Sequence, residues 1–211
     1  MNTLEELVRI PTDQAVIEGA LSIPPQAKGM VLFAHGSGSS RHSPRNNFVA
    51  RILNENKLAT LLMDLLTPEE DMNYETRFDI DLLTQRLVTA TGWVRNNTQT
   101  QGLPVGYFGA STGAAAALKA AAMEPTVGAV VSRGGRPDLA GQDLKRVVSP
   151  VLLVVGGNDY GVIELNEEAL SQLQCKKQLV IVPGATHLFE EPGTLEQAAK
   201  HAAYWFKTYL I

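Results

Sequence analysis

Seven short apolar runs alternate with helix-like segments along most of the chain, and this alternation is the feature that most limits the fold. The run 29–34 reads GMVLFA, without the polar alternation of a half-exposed strand. Such runs are typical of parallel strands whose two faces are both covered by helices. The pattern therefore predicts an α/β fold, with three α/β/α layers built on a mostly parallel, twisted sheet. The predicted strands are 15–21, 29–34, 58–62, 105–110, 127–131, 150–155 and 177–182, and the predicted helices are 45–56, 79–97, 114–123, 163–173 and 194–209.

The length of the chain favours a single domain. It has 211 residues, within the usual size of one domain, so we predict one domain over 1–211. The segment 133–149 lies between two predicted strands and is too short to form a cap domain. We therefore expect a site that is open, or covered only by loops such as 66–78.

The charge and the cysteine content of the chain argue against nucleic-acid binding, disulfides and cysteine-based zinc sites. The formal net charge is −4, with 18 basic and 22 acidic side chains, and no basic cluster predicts nucleic-acid binding. The single cysteine, Cys175, cannot form an intramolecular disulfide or a cysteine-based zinc site. The N-terminal residues lack the basic and apolar regions of a signal peptide. No apolar run reaches the roughly 18 residues that a transmembrane helix needs. We expect a cytoplasmic protein without a membrane partner, and the oligomeric state stays open.

A G-x-S-x-G motif at 109–113 is the strongest chemical signal in the sequence. A predicted strand precedes it and a predicted helix follows, which is the context in which the serine of such a motif projects from a sharp turn. Ser111 is therefore the candidate nucleophile. The alternative is a glycine-rich turn between strand and helix that binds a nucleotide phosphate.

A serine hydroxyl needs a base, and the base needs an acid to orient it. His187 follows the last predicted strand and is the candidate base, although it could also be an ordinary exposed loop residue. Asp159 ends the preceding strand and is the candidate acid, in the chain order Ser, Asp, His. Asp138 is the rival acid, for which the alternative role is the N-cap of a helix over 139–146. The other histidines are His35, His42 and His201.

Two backbone amides are candidates for the oxyanion hole. One is the N–H of Thr112, the residue after the nucleophile. The other belongs to the loop that follows the strand 29–34, where we expect the N–H of Ser37 to donate. Removing one such donor typically costs about 3 to 4 kcal/mol of transition-state stabilisation.

Four segments together resemble an α/β-hydrolase, and within that superfamily the small, capless, dienelactone-hydrolase-like group. They are HGSGSSR at 35–41, GASTG at 109–113, GGND at 156–159 and GATH at 184–187. The resemblance covers the chain from about residue 15 onward and implies the α/β-hydrolase fold with a catalytic triad. Dienelactone hydrolase proper has a cysteine at the nucleophile position, whereas this chain has Ser111. The resemblance therefore implies a general serine esterase rather than an enzyme for that particular lactone.

The sequence thus predicts a serine hydrolase that cleaves a small carboxylic ester, lactone or thioester through an acyl-serine intermediate. We expect a small-molecule substrate, no cofactor and no metal, because no metal-ligand cluster, Walker loop or dinucleotide fingerprint is present. Two alternatives stay open. One is a non-catalytic relative that binds a small ligand in the same pocket, and the other is a flavodoxin-like nucleotide-binding domain.

Arginines near the predicted site offer a way to bind an anionic substrate. Arg41 follows the candidate oxyanion loop and Arg133 follows a strand, and either could hold a carboxylate by paired hydrogen bonds. Arg45 and Arg136 lie close to them in sequence. The alternative is that these arginines pair with loop acids such as Asp64 and only brace the loops.

Overall fold

A computed structural model describes residues 3–13 and 15–211 of the chain, and in these ranges eight strands form one sheet. The strand order across the sheet is β1-β2-β4-β3-β5-β6-β7-β8. Every pairing from β4 to β8 is parallel, while β1 and β2 join antiparallel at one edge. The strands are β1 Leu4–Pro11, β2 Val16–Ile23, β3 Gly29–Ala34, β4 Leu58–Met63, β5 Val105–Ala110, β6 Ala129–Arg133, β7 Val151–Gly156 and β8 Lys177–Val182.

Helices cover both faces of this sheet, which confirms the predicted three-layer architecture. The apolar faces of α1 and α6 enclose one core with the sheet, and those of α3, α4 and α5 enclose the other. The small alanines of α4 are buried, so this helix lies close against the sheet. The helices are α1 Pro44–Glu55, α2 Pro68–Asp71, α3 Ile80–Asn96, α4 Thr112–Met123, α5 Tyr160–Gln172 and α6 Thr194–Leu210.

Among the strands of the described chain, β1 is the one that the sequence did not predict. It reads LEELVRIP, and only Val8 and Ile10 of its eight residues are buried. As an edge strand it pairs on one side with β2 alone. Its charged, half-exposed sequence is typical of edges that avoid further pairing.

The loop after β4 and the segment after β6 also differ from expectation. The polar loop contains the short helix α2, closed by a reciprocal capping box between Thr67 and Glu70. The expected helix over 139–146 is instead a 3₁₀ segment, Pro137–Arg146, broken at Gly141 with φ 56°. Asp138 is not its N-cap, so that alternative role is wrong: both carboxylate oxygens accept from Arg136, at 2.9 and 2.8 Å.

No cap domain stands between β6 and β7 in the described chain, since this connection holds only the 3₁₀ segment, which packs on α4. Within the described ranges, none of the helices combines the length and the apolarity that a membrane span requires.

Candidate active site

Ser111 occupies a strained corner between β5 and α4. Its backbone angles are φ 51° and ψ −124°, in a region that a side chain with a Cβ rarely adopts. The glycines on both sides make this corner possible. A Cβ at Gly109 would lie 2.4 Å from the Cα of Ala114, and a Cβ at Gly113 would lie 2.2 Å from the carbonyl oxygen of Ala34. The motif is thus required by close backbone packing around the serine.

Replacing Gly113 with alanine is expected to lower the free energy of unfolding by at least about 3 kcal/mol, because backbone atoms of β3 block the new methyl group. Urea denaturation measures this change. Gly92 provides a matched control, since it also lies in a helix but a Cβ there meets no atom within 4 Å. Gly92→Ala is expected to stabilise the protein by up to about 1 kcal/mol. Similar effects at both positions would contradict this view of the corner.

His187 and Asp159 form a hydrogen-bonded pair at the carboxyl edge of the sheet. Asp159 follows β7 and His187 follows β8, and His187 Nδ1 lies 2.7 Å from Asp159 Oδ2. The carboxylate accepts the Nδ1 proton, which leaves Nε2 of the neutral ring free to accept another. Asp138, the rival acid, is held by Arg136 instead. The structure therefore places Asp159, and not Asp138, beside the histidine.

Ser111 and His187 line the same cavity, which has a volume of about 250 Å³. The described chain shows no direct hydrogen bond between the Ser111 hydroxyl and the imidazole. Such contacts are often long in a site without substrate and shorten when it binds. The cavity also contains the oxyanion-loop residues Gly36 and Ser37, so the predicted groups converge on one space.

A second carboxylate fixes the loop that carries the histidine. Thr186 donates twice to Glu191, from its amide at 3.0 Å and from its hydroxyl at 2.7 Å. These hydrogen bonds lower the pKa of Glu191. Sequence reasoning missed this contact, because the pairing of Thr186 with Glu191 depends on the geometry of the loop and has no signal in the sequence.

The oxyanion loop packs directly against the nucleophile. A Cβ at Gly36 would lie 2.9 Å from the Cβ of Ser111. The Ser37 amide donates to Thr112 Oγ1 at 2.9 Å, so this expected oxyanion donor has an intramolecular acceptor in the free protein. Thr112 is the first residue of α4, so its N–H has no acceptor within that helix.

His35 joins the oxyanion loop to the loop after β4. Its Nδ1 lies 2.9 Å from the carbonyl oxygen of Gly36, and its Nε2 accepts from the Leu65 amide at 3.0 Å. These partners fix the neutral tautomer with the proton on Nδ1. Burial lowers the pKa of His35 below its ordinary value, and this effect outweighs the hydrogen bond to Gly36.

We expect this buried histidine to make stability depend on pH. At pH values above about 6.5, which is the ordinary pKa of a histidine side chain, His35 is neutral in both the folded and the unfolded protein. Its protonation then takes nothing from the free energy of unfolding. As the pH falls below that value, the unfolded chain binds a proton that the folded chain does not. The free energy of unfolding then falls, by at most about 1.4 kcal/mol per pH unit, and levels off below the folded pKa.

Chemical denaturation between pH 5 and pH 8 measures this slope. His35→Gln should flatten it by one proton, whereas His42→Gln should leave it unchanged because His42 is exposed. An unchanged slope in His35→Gln would contradict the assignment.

The arginines near the site have different partners. Arg41, expected to contact substrate, does not line the cavity: Asp64 binds its amide and guanidinium, and Glu18 lies 2.7 Å from its Nη2. Arg136 is held by Asp138, as described above. Arg133 does line the cavity and is only 7% exposed.

Comparison with protein families matches residues 68–210 to the dienelactone hydrolase family. This stretch is more than half of the chain and contains Ser111, Asp159 and His187. The chain belongs to the dienelactone hydrolase family. The resemblance noted in the sequence is thereby confirmed, for the family and for its fold.

Solved structures share the fold of this family member over almost its whole length. A dienelactone hydrolase from Anabaena variabilis is 56% identical, with 100% of both chains covered and a TM-score of 0.97. The esterase domain of a Rhodothermus marinus protein is 18% identical, covering 99% of this chain and 100% of that one with a TM-score of 0.80. At 18% identity the likeness concerns the fold alone.

The curated relatives that match this chain have a name that does not refer to hydrolysis. Two proteins of Mycobacterium tuberculosis, from strains CDC 1551 and H37Rv, are each 57% identical over 208 residues and are named "Putative phosphoribosyl transferase". The alignments cover 98% of this chain and 47% of each relative, so the chain spans about half the length of the curated relatives it matches. Family and fold support a hydrolase, whereas that name indicates another activity.

Proposed function

We propose that the chain is a serine hydrolase that cleaves a carboxylic ester, lactone or thioester of a small substrate. One observation carries the proposal: the imidazole bound by Asp159 at 2.7 Å lines the same cavity as a serine held in a strained corner. Strain of this kind is retained where the surrounding structure supports a function. A protein that only binds its ligand gains little from it.

The reaction proceeds in two halves. Ser111 Oγ attacks the substrate carbonyl carbon while His187 Nε2 takes the hydroxyl proton, and the tetrahedral oxyanion forms. The bond to the leaving alcohol then breaks, and His187 returns the proton to it. In the second half water attacks the acyl-serine, with His187 again accepting and returning a proton, so that acid and free serine result. Asp159 keeps the imidazole in the tautomer that both halves need.

The oxyanion is held by two backbone amides in this proposal. The Thr112 N–H points from the start of α4, where the helix dipole also favours negative charge. The Ser37 N–H already donates to Thr112 Oγ1. When the oxyanion forms, the Ser37 N–H therefore either donates to both the oxyanion and the Thr112 hydroxyl or leaves that hydroxyl.

Covalent labelling tests the nucleophile directly. A fluorophosphonate probe is expected to modify wild-type protein at Ser111, as located by mass spectrometry of the digested protein. Ser39 lines the same cavity, so Ser39→Ala is a matched control that should still be labelled, whereas Ser111→Ala should not.

An unlabelled wild-type protein would overturn the proposal. If a small ligand then raised the melting temperature without being converted, the non-catalytic alternative would replace it. Fluorophosphonate labelling also tests the activity that the name of the M. tuberculosis relatives indicates, because phosphoribosyl transfer does not need an activated serine.

A further inference from the structure

Strand β1 has an outer side that pairs with no other strand of the described chain. It lies at one end of the sheet and pairs only with β2. The turn after β1 is closed by a hydrogen bond from the Thr12 amide to the Ala15 carbonyl oxygen at 2.7 Å. Because hydrogen-bonded pairs alternate along an antiparallel ladder, the even-numbered residues of β1 bond to β2 and the odd-numbered ones do not. The backbone N–H and C=O groups of Glu5, Leu7 and Arg9 therefore point away from the sheet.

Two residues support this direction of the outer backbone groups. Glu18 of β2 lies opposite Arg9, and its carbonyl oxygen accepts from the Asp64 amide at 2.9 Å, on the side away from β1. Pro11, also odd-numbered, has no N–H, and a proline is tolerated in an edge strand where that group would face outward. Since Pro11 cannot donate, the outer groups available for pairing with a further strand run from Glu5 to Arg9.

The side chains of this stretch place an exposed leucine between two opposite charges. Glu5, Leu7 and Arg9 alternate along β1 and therefore share one face of it. Leu7 is 62% exposed and borders a groove of about 670 Å³ between the edge of the sheet and α1. Ala20 and Phe48 add apolar surface to the same groove. An exposed leucine beside an apolar groove is surface that a partner can cover.

The two charges on this face form no ion pair within residues 3–13 and 15–211. Glu18 is the acid opposite Arg9 on β2, but Arg41 binds it at 2.7 Å. Glu5 lies opposite Ser22. Charges on an edge strand usually prevent further pairing. Opposite charges at equal distances on both sides of one residue permit it, in a single register and with a second copy of the same strand.

That register places Leu7 opposite Leu7 of the second copy in an antiparallel pair. Glu5 then falls opposite Arg9 on both sides of the two-fold axis, and each of these residues can donate one N–H and accept one through its outward groups. A shift by one residue sets outward groups against inward ones. A shift by two residues puts Leu7 opposite Glu5 or Arg9 and removes both ion pairs. One register therefore satisfies the backbone and the charges together.

The opposite face of β1 is compatible with the same register. Leu4 is 43% exposed and falls opposite Ile10 of the second copy, which adds an apolar cross-strand contact. Glu6 falls opposite Val8, and because Glu6 is exposed its carboxylate can stay in water. No like charges meet on this face.

We propose that β1 binds β1 of a second copy of this chain, antiparallel about a two-fold axis at Leu7, so that the two sheets become continuous. The occupant is a second copy because both charges that the pairing matches belong to this one strand. The strand at the other end of the sheet, β8, has a single charged residue, Lys177, so no register there pairs opposite charges. Residues of β1 do not line the candidate active-site cavity, so this interface is independent of the proposed function.

Sedimentation velocity over a concentration series tests whether the chain associates. The wild-type protein is expected to pass from monomer to dimer with a Kd of roughly 1 to 100 µM, because a single strand pair is a small interface. A protein that stays monomeric up to about 1 mM would overturn the proposal.

Charge reversals at exposed positions then test the register. Glu5→Arg and Arg9→Glu each set like charges opposite each other on both sides of the axis, so each should raise the Kd of the dimer at least about tenfold. An equimolar mixture of the two variants should associate about as tightly as wild type, because every cross-strand pair in the mixed dimer is again one of opposite charges. Glu6→Arg is the matched control. It makes the same reversal on the neighbouring residue, which faces no charge, and should change the Kd by less than about threefold.

Hydrogen exchange measured by mass spectrometry locates the interface without any variant. Peptides that contain Leu7 and Arg9 should exchange more slowly as the protein concentration rises, because their outward amides become hydrogen-bonded in the dimer. Peptides from β8 should show no such dependence. Protection of β8 in place of β1, a Kd that neither Glu5→Arg nor Arg9→Glu changes, or a mixture of these variants that does not associate would overturn the proposal, since the chain would then associate through another surface.

Discussion

If the proposed function holds, Ser111→Ala is expected to lower kcat for a short ester by roughly 10⁴- to 10⁶-fold, as removal of the nucleophile does in a serine protease. The physical reason is that no other hydroxyl occupies the strained corner between β5 and α4 from which attack is possible. Release of a chromogenic alcohol from a p-nitrophenyl ester, measured with the variant at high concentration, follows the residual rate.

His187→Ala tests whether the serine and the histidine act as one unit. Alone it should cost about as much as Ser111→Ala, and the double variant should cost little more than either, because a serine without its base is already inactive. Additive losses would show that the two side chains act separately. Wild-type rates in Ser111→Ala would remove the serine from the mechanism.

The central strands were predictable because parallel strands of this sheet are apolar on both faces. The runs 29–34 and 105–110 are observed as β3 and β5 with the same bounds and are buried throughout. Strand β1 was not, because its edge position leaves most of its residues exposed. Its pairing with β2 depends on a tertiary contact that local propensity does not contain.

The arrangement of Ser111, Asp159 and His187 could be anticipated from strand ends alone. Parallel strands bring their carboxyl ends to one edge of the sheet, and each of these residues lies just beyond such an end. The direction of individual side chains could not be anticipated in the same way. The hydroxyl of Thr112 as acceptor for the Ser37 amide, and Glu191 as brace of the histidine loop, both depend on loop geometry.

The arginines show most clearly what the sequence leaves undecided. Arg41, Arg133 and Arg136 all follow strand ends or their loops, and all are equally plausible ligands of an anion. What separates them is the position of acids distant in sequence, such as Glu18 for Arg41. Arg133 differs from the other two because it lines the cavity and because its Nε and Nη1 have no hydrogen-bond partner among the described residues.

Asp159→Asn is expected to lower kcat by about 10⁴-fold, the loss measured for the corresponding change in a serine protease. The asparagine amide can donate to Nδ1, which would place the imidazole proton on Nε2, the atom that accepts the proton of Ser111 in the proposed mechanism. The contact between residues 159 and 187 would be retained, but the imidazole would carry its proton on the nitrogen that has to act as the base. KM should therefore change far less than kcat.

Asp138→Asn is the matched control for this change, because Asp138 is the rival acid and also follows a strand at this edge of the sheet. Its carboxylate binds Arg136 and not His187, so kcat should change by less than about threefold. Loss of this partly buried ion pair affects mainly stability, by about 1 kcal/mol. Steady-state kinetics of both variants on one ester decide between the two acids. A large loss in Asp138→Asn with a small one in Asp159→Asn would transfer the orienting role to Asp138, and the 2.7 Å contact of His187 with Asp159 would then be structural only.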